Sequence, residues 1–287
     1  MPIRPRRSVL YMPASNARAL EKARSLDADA VIFDLEDAVA PDAKEMARGH
    51  AVDAANRGGY GRREVVVRIN ALSSEWGSAD LAAVAQSAAD AVLVPKVSCA
   101  ANLAEIQNGL GKDAPQAIWA MMETPQAILR AGDIAASKFD VAPSFSVMVL
   151  GTNDLAKETR AALAPGRLAY LPWLMQVVAA ARSAGLDVID GVFNDFQEID
   201  RFRAECMQGR EFGMDGKTLI HPKQIEPANE AFSPLPDELE WARKVCAVFD
   251  DSANRDVGVA QVDGRMVERL HADMARRVLL LADAINA

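Results

Sequence analysis

The stretch Ala30-Val-Ile-Phe-Asp34-Leu-Glu36-Asp37 decides how the rest of the chain is read. It opens with a run of apolar residues that does not alternate with polar ones, the pattern of a strand covered on both faces. It closes in carboxylates. The same form recurs at Ser8–Met12, Glu64–Asn70, Ala91–Val97, Ala117–Glu123, Phe145–Leu150, Leu186–Asp190 and Lys217–His221. With Ala30–Leu35 that makes eight expected strands, and each gap between them is long enough for a helix. Several gaps carry helix signals. Asn16 precedes an alanine-rich run, Asp80–Ala89 is rich in helix formers, and Pro172–Ala184 begins with Pro and meets Gly185 just past its end.

Strands alternating with helices eight times over predict an α/β fold, a (β/α)8 TIM barrel of parallel strands. The rival is a doubly wound sheet, which favours a Gly-rich phosphate turn after an early strand. Neither GxGxxG nor GxxxxGK[ST] occurs. Residues 1–224 are expected to form the barrel and residues 225–287 a C-terminal extension and lid. The lid carries a helix at Pro236–Phe249, an irregular run over 251–258, a short strand at Val259–Val262 and a long apolar helix at Met266–Ile285.

Composition narrows the function. The chain has 287 residues, 25% of them charged, and a formal net charge of −8. These are the proportions of a globular chain, and the acidic balance gives no general footprint for nucleic acid. Three scattered cysteines, Cys99, Cys206 and Cys246, form neither a disulfide framework nor a metal-ligand pattern, so a reduced, cytoplasmic setting is expected. No stretch approaches the length of an uncharged membrane span.

In such a barrel the chemistry sits where the strands end. There the sequence places Asp34, Glu36 and Asp37, then Arg68, Lys96, Glu123, the Gly151-Thr152-Asn153-Asp154 turn, Asp190 and His221. Each also has a plainer reading. Asp37 and Asp154 could cap helices, Asp34 and Glu36 could form an ion network with Lys96 and Arg68, and His221 could be a hydrogen-bonded strand end. Glu123 and Asp154 end neighbouring strands. An oxygen-only pair at a pocket rim suits Mg²⁺, with Mn²⁺ as its substitute, which binds through one or two carboxylates plus water and substrate oxygens. Arg68 offers a guanidinium fork for a carboxylate or enolate. Gly151, Thr152 and Asn153 offer backbone N–H groups for an anion. Lys96 is expected as an ion-paired ammonium beside Asp34 and Glu36 rather than a Schiff-base nucleophile. Arg4, Arg6 and Arg7, with Arg18 and Lys22, are either solvated surface charge or the cations that a ligand's phosphates would need.

Eight segments in order carry a resemblance. They are 7–16, 33–41, Val67-Arg-Ile-Asn70, Val94-Pro-Lys-Val97, Met122-Glu-Thr-Pro125, Gly151-Thr-Asn-Asp-Leu155, 216–224 and 262–267. Together they resemble the citrate lyase β-subunit-like family, which includes malyl-CoA lyases, within the HpcH/HpaI aldolase superfamily. The resemblance implies a Mg²⁺-dependent carbon–carbon lyase acting on a 3-hydroxyacyl-CoA thioester, or its acyl-carrier equivalent, and releasing a small oxoacid, with thioester hydrolysis as a second step. It implies Glu123 and Asp154 as metal ligands and Arg68 as the group facing the enolate or the substrate carboxylate. It also implies a lid carboxylate as general acid/base and a homotrimer or hexamer. At the lid the family carries Asp, whereas this chain reads Gly264-Arg-Met-Val-Glu268. Glu268 is therefore the candidate, one methylene longer. A metal-dependent oxoacid aldolase without CoA and a non-catalytic lyase subunit are the alternatives.

Overall fold

The computed structural model describes residues 3–251 and 257–287. Eight parallel strands close into a barrel: β1 (Ser8–Pro13), β2 (Ala30–Asp34), β3 (Glu64–Arg68), β4 (Ala91–Val94), β5 (Ala117–Met122), β6 (Phe145–Leu150), β7 (Asp187–Asp190) and β8 (Gly216–Leu219). They run in sequence order, and β8 pairs with β1 through Ser8–Lys217, Val9–Thr218 and Leu10–Leu219 to seal the ring. The helices are α1 (Ala17–Ala23), α2 (Lys44–Arg57), α3 (Gly77–Ala85), α4 (Ala100–Leu110), α5 (Pro125–Leu129), α6 (Ala131–Asp140), α7 (Thr152–Thr159), α8 (Leu171–Ser183), α9 (Ile199–Glu211), α10 (Ile225–Phe232), α11 (Pro236–Asp250) and α12 (Arg269–Asn286). Asn16 caps α1 as expected, its side chain accepting from the Ala19 N–H.

Alternate strand residues fill the barrel. Val9, Ile32, Val66, Leu93, Trp119 and Val149 belong to one fully enclosed apolar cluster. Each such side chain contributes about 1.5–3 kcal/mol by leaving water, so polar groups are driven to the barrel ends. At the end where the strands begin, Arg6 forks onto Glu64 at 2.7 and 2.9 Å, pairs with Asp187 and lies over the Trp119 ring. Arg7 forks onto Asp29 with its Nε and Nη2 at 2.8 Å. Arg7 is buried and Arg6 partly so, and both are committed to carboxylates at the end opposite the expected chemistry. That removes them from the set available for a ligand's phosphates. Gly216 is required here, because a Cβ would lie 1.8 Å from the Arg6 carbonyl oxygen.

The chain forms two compact units, Arg6–Ala231 and Phe232–Ala287 with the residues up to Pro5. The first ends beyond Gln224 because α10 is tied to the barrel. Asn229 accepts from the Ser8 hydroxyl and donates to the Asp27 carbonyl. The second unit has its own core, in which Val245, Phe249, Val262, Val267 and Ala272 meet. Its expected long helix begins later than the sequence reading placed it. Met266 and Val267 lie instead in strand β10 (Arg265–Glu268), antiparallel to β9 (Val259–Val262). The turn between them is Asp263-Gly264, both at positive φ, the Asp-Gly signal of a two-residue hairpin. Residues 252–256 of the run read as irregular lie outside the described residues.

Arg7→Met should strand the Asp29 carboxylate without its guanidinium. Urea unfolding should show a loss of about 3–5 kcal/mol, and a loss under 1 kcal/mol would mean that the pair is not structural.

Candidate active site

The strand ends meet around a cavity of about 290 Å³, lined among others by Tyr11, Asp34, Arg68, Glu123, Asp154 and Asn194. Asp37, Gly151, Thr152 and Asn153 also line it. A larger cavity of about 420 Å³ lies beside it and shares Val192 and Asn194; its carboxylates are Asp195 and Glu205, and Glu205 is already held by Lys217. Chemistry, rather than size, selects the smaller.

Glu123 follows β5 and is fully buried. Its Oε1 accepts from the Lys96 backbone N–H at 2.7 Å, while Oε2 is buried with no hydrogen-bond partner. Burial raises its pKa, and Lys96 only partly opposes the shift. An orphaned carboxylate oxygen at a cavity wall is costly unless something polar meets it. Gly151 makes room for it, since a Cβ there would lie 2.6 Å from Oε2. Asp154, in the first turn of α7, does not cap that helix with its side chain. The Lys96 ammonium lies 2.6 Å from Asp154 and 3.4 Å from Glu123, a cation placed between the two carboxylates. Lys96 is thus ion-paired as expected, but with Glu123 and Asp154 rather than Asp34 and Glu36. Its backbone has φ 55°, a left-handed conformation that aims the side chain toward β5 and β6. No group of three or more His, Cys, Asp or Glu among the described residues is arranged to hold a metal. Two carboxylates, one with an unpartnered oxygen, fit a Mg²⁺-type ion that takes its other ligands from water and substrate.

Arg68 is buried, and its fork is already filled. Nε and Nη2 reach the two Asp34 oxygens at 2.7 and 2.8 Å. Only Nη1 is turned outward, 3.0 Å from Glu36 and 3.4 Å from Asp37. The ion-network reading of Arg68 is therefore present in the geometry, and a ligand would meet one edge rather than the fork. Burial works against the Arg68 cation, but Tyr11, whose ring lies under it, and Asp34 hold its pKa well above the usual value. Asp34 is correspondingly held low, Arg68 overcoming the penalty of burial. Glu36 lies near Arg68 out of line for a hydrogen bond, and burial pushes its carboxyl up to about 8. Asp37 is exposed and caps no helix with its side chain.

Three remaining candidates lie elsewhere, among them Asp190, which is buried and held by Arg167 and Lys217. His221 accepts from the Lys223 N–H through Nδ1 and stacks on Phe196, the hydrogen-bonded strand-end role. Glu268 stands at the start of α12 in the second unit, its N–H donating to His271 Nδ1. Sequence reasoning missed Tyr11, Asn194 and Lys44. The Lys44 ammonium donates to the Leu35 and Glu36 carbonyls and to Asn70, which shapes the Asp34–Asp37 loop. Tyr11 lies inside a quoted strand, and period-2 alternation from Val9 could have pointed it inward.

A (β/α)8 barrel with a carboxylate pair, an ammonium and a guanidinium at its C-terminal rim defines the class of metal-assisted barrel enzymes. Residues 7–222 match the HpcH/HpaI aldolase/citrate lyase family, and residues 168–285 match the C-C bond lyase of the TIM-barrel fold. The chain belongs to the HpcH/HpaI aldolase/citrate lyase family of enzymes. It is 51% identical over 283 residues to a (3S)-malyl-CoA thioesterase of Cereibacter sphaeroides, covering 99% of this chain and 96% of that one. It is 32% identical to an L-malyl-CoA/beta-methylmalyl-CoA lyase of the same species, covering 100% and 97%. Among solved structures, CitE of Mycobacterium tuberculosis in complex with magnesium, acetoacetate and coenzyme A superposes with a TM-score of 0.76 at 29% identity, covering 97% and 98%.

Two outcomes follow from this geometry. In Mn²⁺ titrations followed by electron paramagnetic resonance, Glu123→Gln and Asp154→Asn should each weaken binding at least tenfold, and Lys96→Met, which removes a competing cation, should tighten it several-fold. Unchanged binding in the carboxylate variants would remove the pair as ligands. Glu36 has a folded-state pKa of about 8, above the unfolded value of about 4.3. Its contribution to stability is therefore full at low pH and lost as pH rises through 8. The melting temperature of Glu36→Gln should fall less than that of the wild type between about pH 6 and 9, and parallel curves would contradict this.

Proposed function

We propose that this chain binds a malyl-CoA-like thioester together with a divalent cation and hydrolyses the thioester to the free acid and CoA. One observation carries the reading: half-identity to a (3S)-malyl-CoA thioesterase along virtually the whole of both chains. The site supports it. Glu123 and Asp154 would hold Mg²⁺, with Mn²⁺ able to replace it, and the CitE complex contains magnesium. The ion would hold the substrate's carboxylate and hydroxyl oxygens and polarise them. The N–H groups of Gly151, Thr152 and Asn153 at the start of α7 would take up the remaining negative charge. The outward edge of Arg68, with Tyr11 beneath it, would face the thioester oxygen as charge develops there, and such stabilisation is usually the largest catalytic contribution. A water would attack the thioester carbonyl, and Glu268 would take its proton and return one to the CoA sulfur as the C–S bond breaks. Asp34, Glu36 and Asp37 would keep Arg68 in place.

Carbon–carbon cleavage is the second reading, favoured by the similarity to the L-malyl-CoA/beta-methylmalyl-CoA lyase. A base would take the proton of the substrate hydroxyl. The bond between the hydroxyl-bearing carbon and the carbon next to the thioester carbonyl would then break, giving an oxoacid and a CoA-thioester enolate.

Incubating malyl-CoA and citramalyl-CoA with the protein and Mg²⁺, with chromatography of the products, should yield free CoA and the intact hydroxy acid, and EDTA should abolish both. Acetyl-CoA with glyoxylate or pyruvate would establish the lyase instead. Absence of turnover on either thioester would overturn both readings.

The reading includes a homo-oligomer, trimer or hexamer. Met266, Leu270, Met274 and Leu280 present exposed apolar side chains on the second unit, the kind of area that association covers. Light scattering at micromolar concentration should report a mass several times that of one chain, and a monomer of full activity would contradict it.

A further inference from the structure

Outside the barrel wall, beyond the catalytic cavity, lies a second charged group that the proposed chemistry does not use. Lys217, the second residue of β8, and Asp190, the last of β7, are neighbours in register and have no exposed surface. Arg167, from the segment between α7 and α8, is likewise buried, and Glu205 on α9 is nearly so. Arg167 Nη1 donates to both Asp190 oxygens at 2.7 and 2.8 Å. The Lys217 ammonium donates to Asp190 at 2.9 Å and to Glu205 at 2.7 Å. The two cations and two anions sum to zero charge, but burying four charges is seldom the most stabilising use of such space. Their placement therefore asks for a purpose.

Arg167 Nε donates to Gln208 at 2.9 Å, and two further bonds of the cluster converge on one residue. The third Lys217 donor goes to the Gly191 carbonyl at 2.6 Å, and Asp190 Oδ1 accepts from the Gly191 N–H at 2.8 Å. Gly191 is thus held at both its N–H and its C=O. It is also packed as closely as a residue can be against the start of α7. A Cβ there would lie 2.7 Å from Thr152 Oγ1, 2.9 Å from the Leu150 carbonyl oxygen and 3.0 Å from Thr152 Cγ2. Three residues on, Asn194 and Asn153 exchange amide hydrogen bonds at 3.1 and 2.8 Å. Thr152 and Asn153 directly precede Asp154.

We propose that Lys217 and Asp190, steadied by Arg167 and Glu205, are positioning residues that act through Gly191 to fix the first turn of α7, and with it the Asp154 carboxylate, at the distance from Glu123 that a divalent cation needs. The proposal rests on the reading of Glu123 and Asp154 as the metal ligands. It assigns the cluster no contact with substrate. A buried ion group has only discrete arrangements, so Gly191 is held more stiffly than a loop packed by apolar contacts alone. Ligand positions must be set within a fraction of an ångström for a site with only two protein ligands.

The test measures Mn²⁺ affinity by electron paramagnetic resonance, independently of turnover, beside thermal melting. Lys217→Met removes the ammonium at nearly constant volume. Gly191→Ala leaves the charges intact and pushes Thr152 away. Arg7→Met is the control, a broken buried pair at the other end of the barrel. Lys217→Met and Gly191→Ala should each weaken Mn²⁺ binding by about tenfold, the scale seen when the supporting partners of metal ligands are removed. Arg7→Met should lower the melting temperature and bind Mn²⁺ as the wild type does. If Lys217→Met does not fold, Gly191→Ala decides. Mn²⁺ affinity within twofold of wild type in the folded variants would overturn the proposal and reduce the cluster to scaffold. A wild type that binds no Mn²⁺ would overturn the metal reading, and this proposal with it.

Discussion

Closure of the β1–β8 seam is the constraint from which the rest of the barrel follows, because a ring of parallel strands has no edge and sends all eight C-terminal ends to one rim. The interior is sealed by side chains such as Trp119, Ile32 and Val149. Polar side chains that point into the barrel at the strand ends are confined to the two mouths. At one mouth Arg6 and Arg7 are neutralised by Glu64, Asp187 and Asp29, which makes a plug. At the other the charges are kept around an open cavity, and one carboxylate oxygen of Glu123 is left without a partner. The two mouths use the same residue types for opposite ends.

The difference between them lies in how completely each charge is paired. Asp29 and Asp34 each receive a bidentate guanidinium, and such a pair, once buried, is a fixed part of the frame. Glu123 and Asp154 share a single ammonium, that of Lys96, whose side chain is 34% exposed. An ion pair of that kind is worth little at a wet surface. On the proposed reading it would serve as a counter-charge to the two carboxylates until a divalent cation took its place.

Several features were legible because their causes are local. The eight strands, the cap at Asn16, the helix from Leu171 and the strand Val259–Val262 all follow from short-range pattern. The late start of α12 is also written locally, in Asp263-Gly264, although the apolar run beyond it has the spacing of a helix. Arg6 and Arg7 depart from the local pattern for another reason. A basic cluster in sequence looks like a surface, and only the approach of Glu64, Asp187 and Asp29 from other elements turns it inward.

The sequence by itself determined which residue types stand at each strand end, and hence that acids, a guanidinium and an ammonium share one rim. Alternation, strand length and turn chemistry are properties of consecutive residues, so they survive without a third dimension. Tertiary structure alone decided who pairs with whom. Lys96 meets Asp154 and Glu123 rather than Asp34 and Glu36 because a left-handed backbone at Lys96 turns its side chain toward β5 and β6. Arg68 gives its fork to Asp34 because β2 and β3 are in register at these two residues. The reach of a long charged side chain spans several strand ends, and the energy that selects among them depends on distances and burial that no stretch of sequence contains.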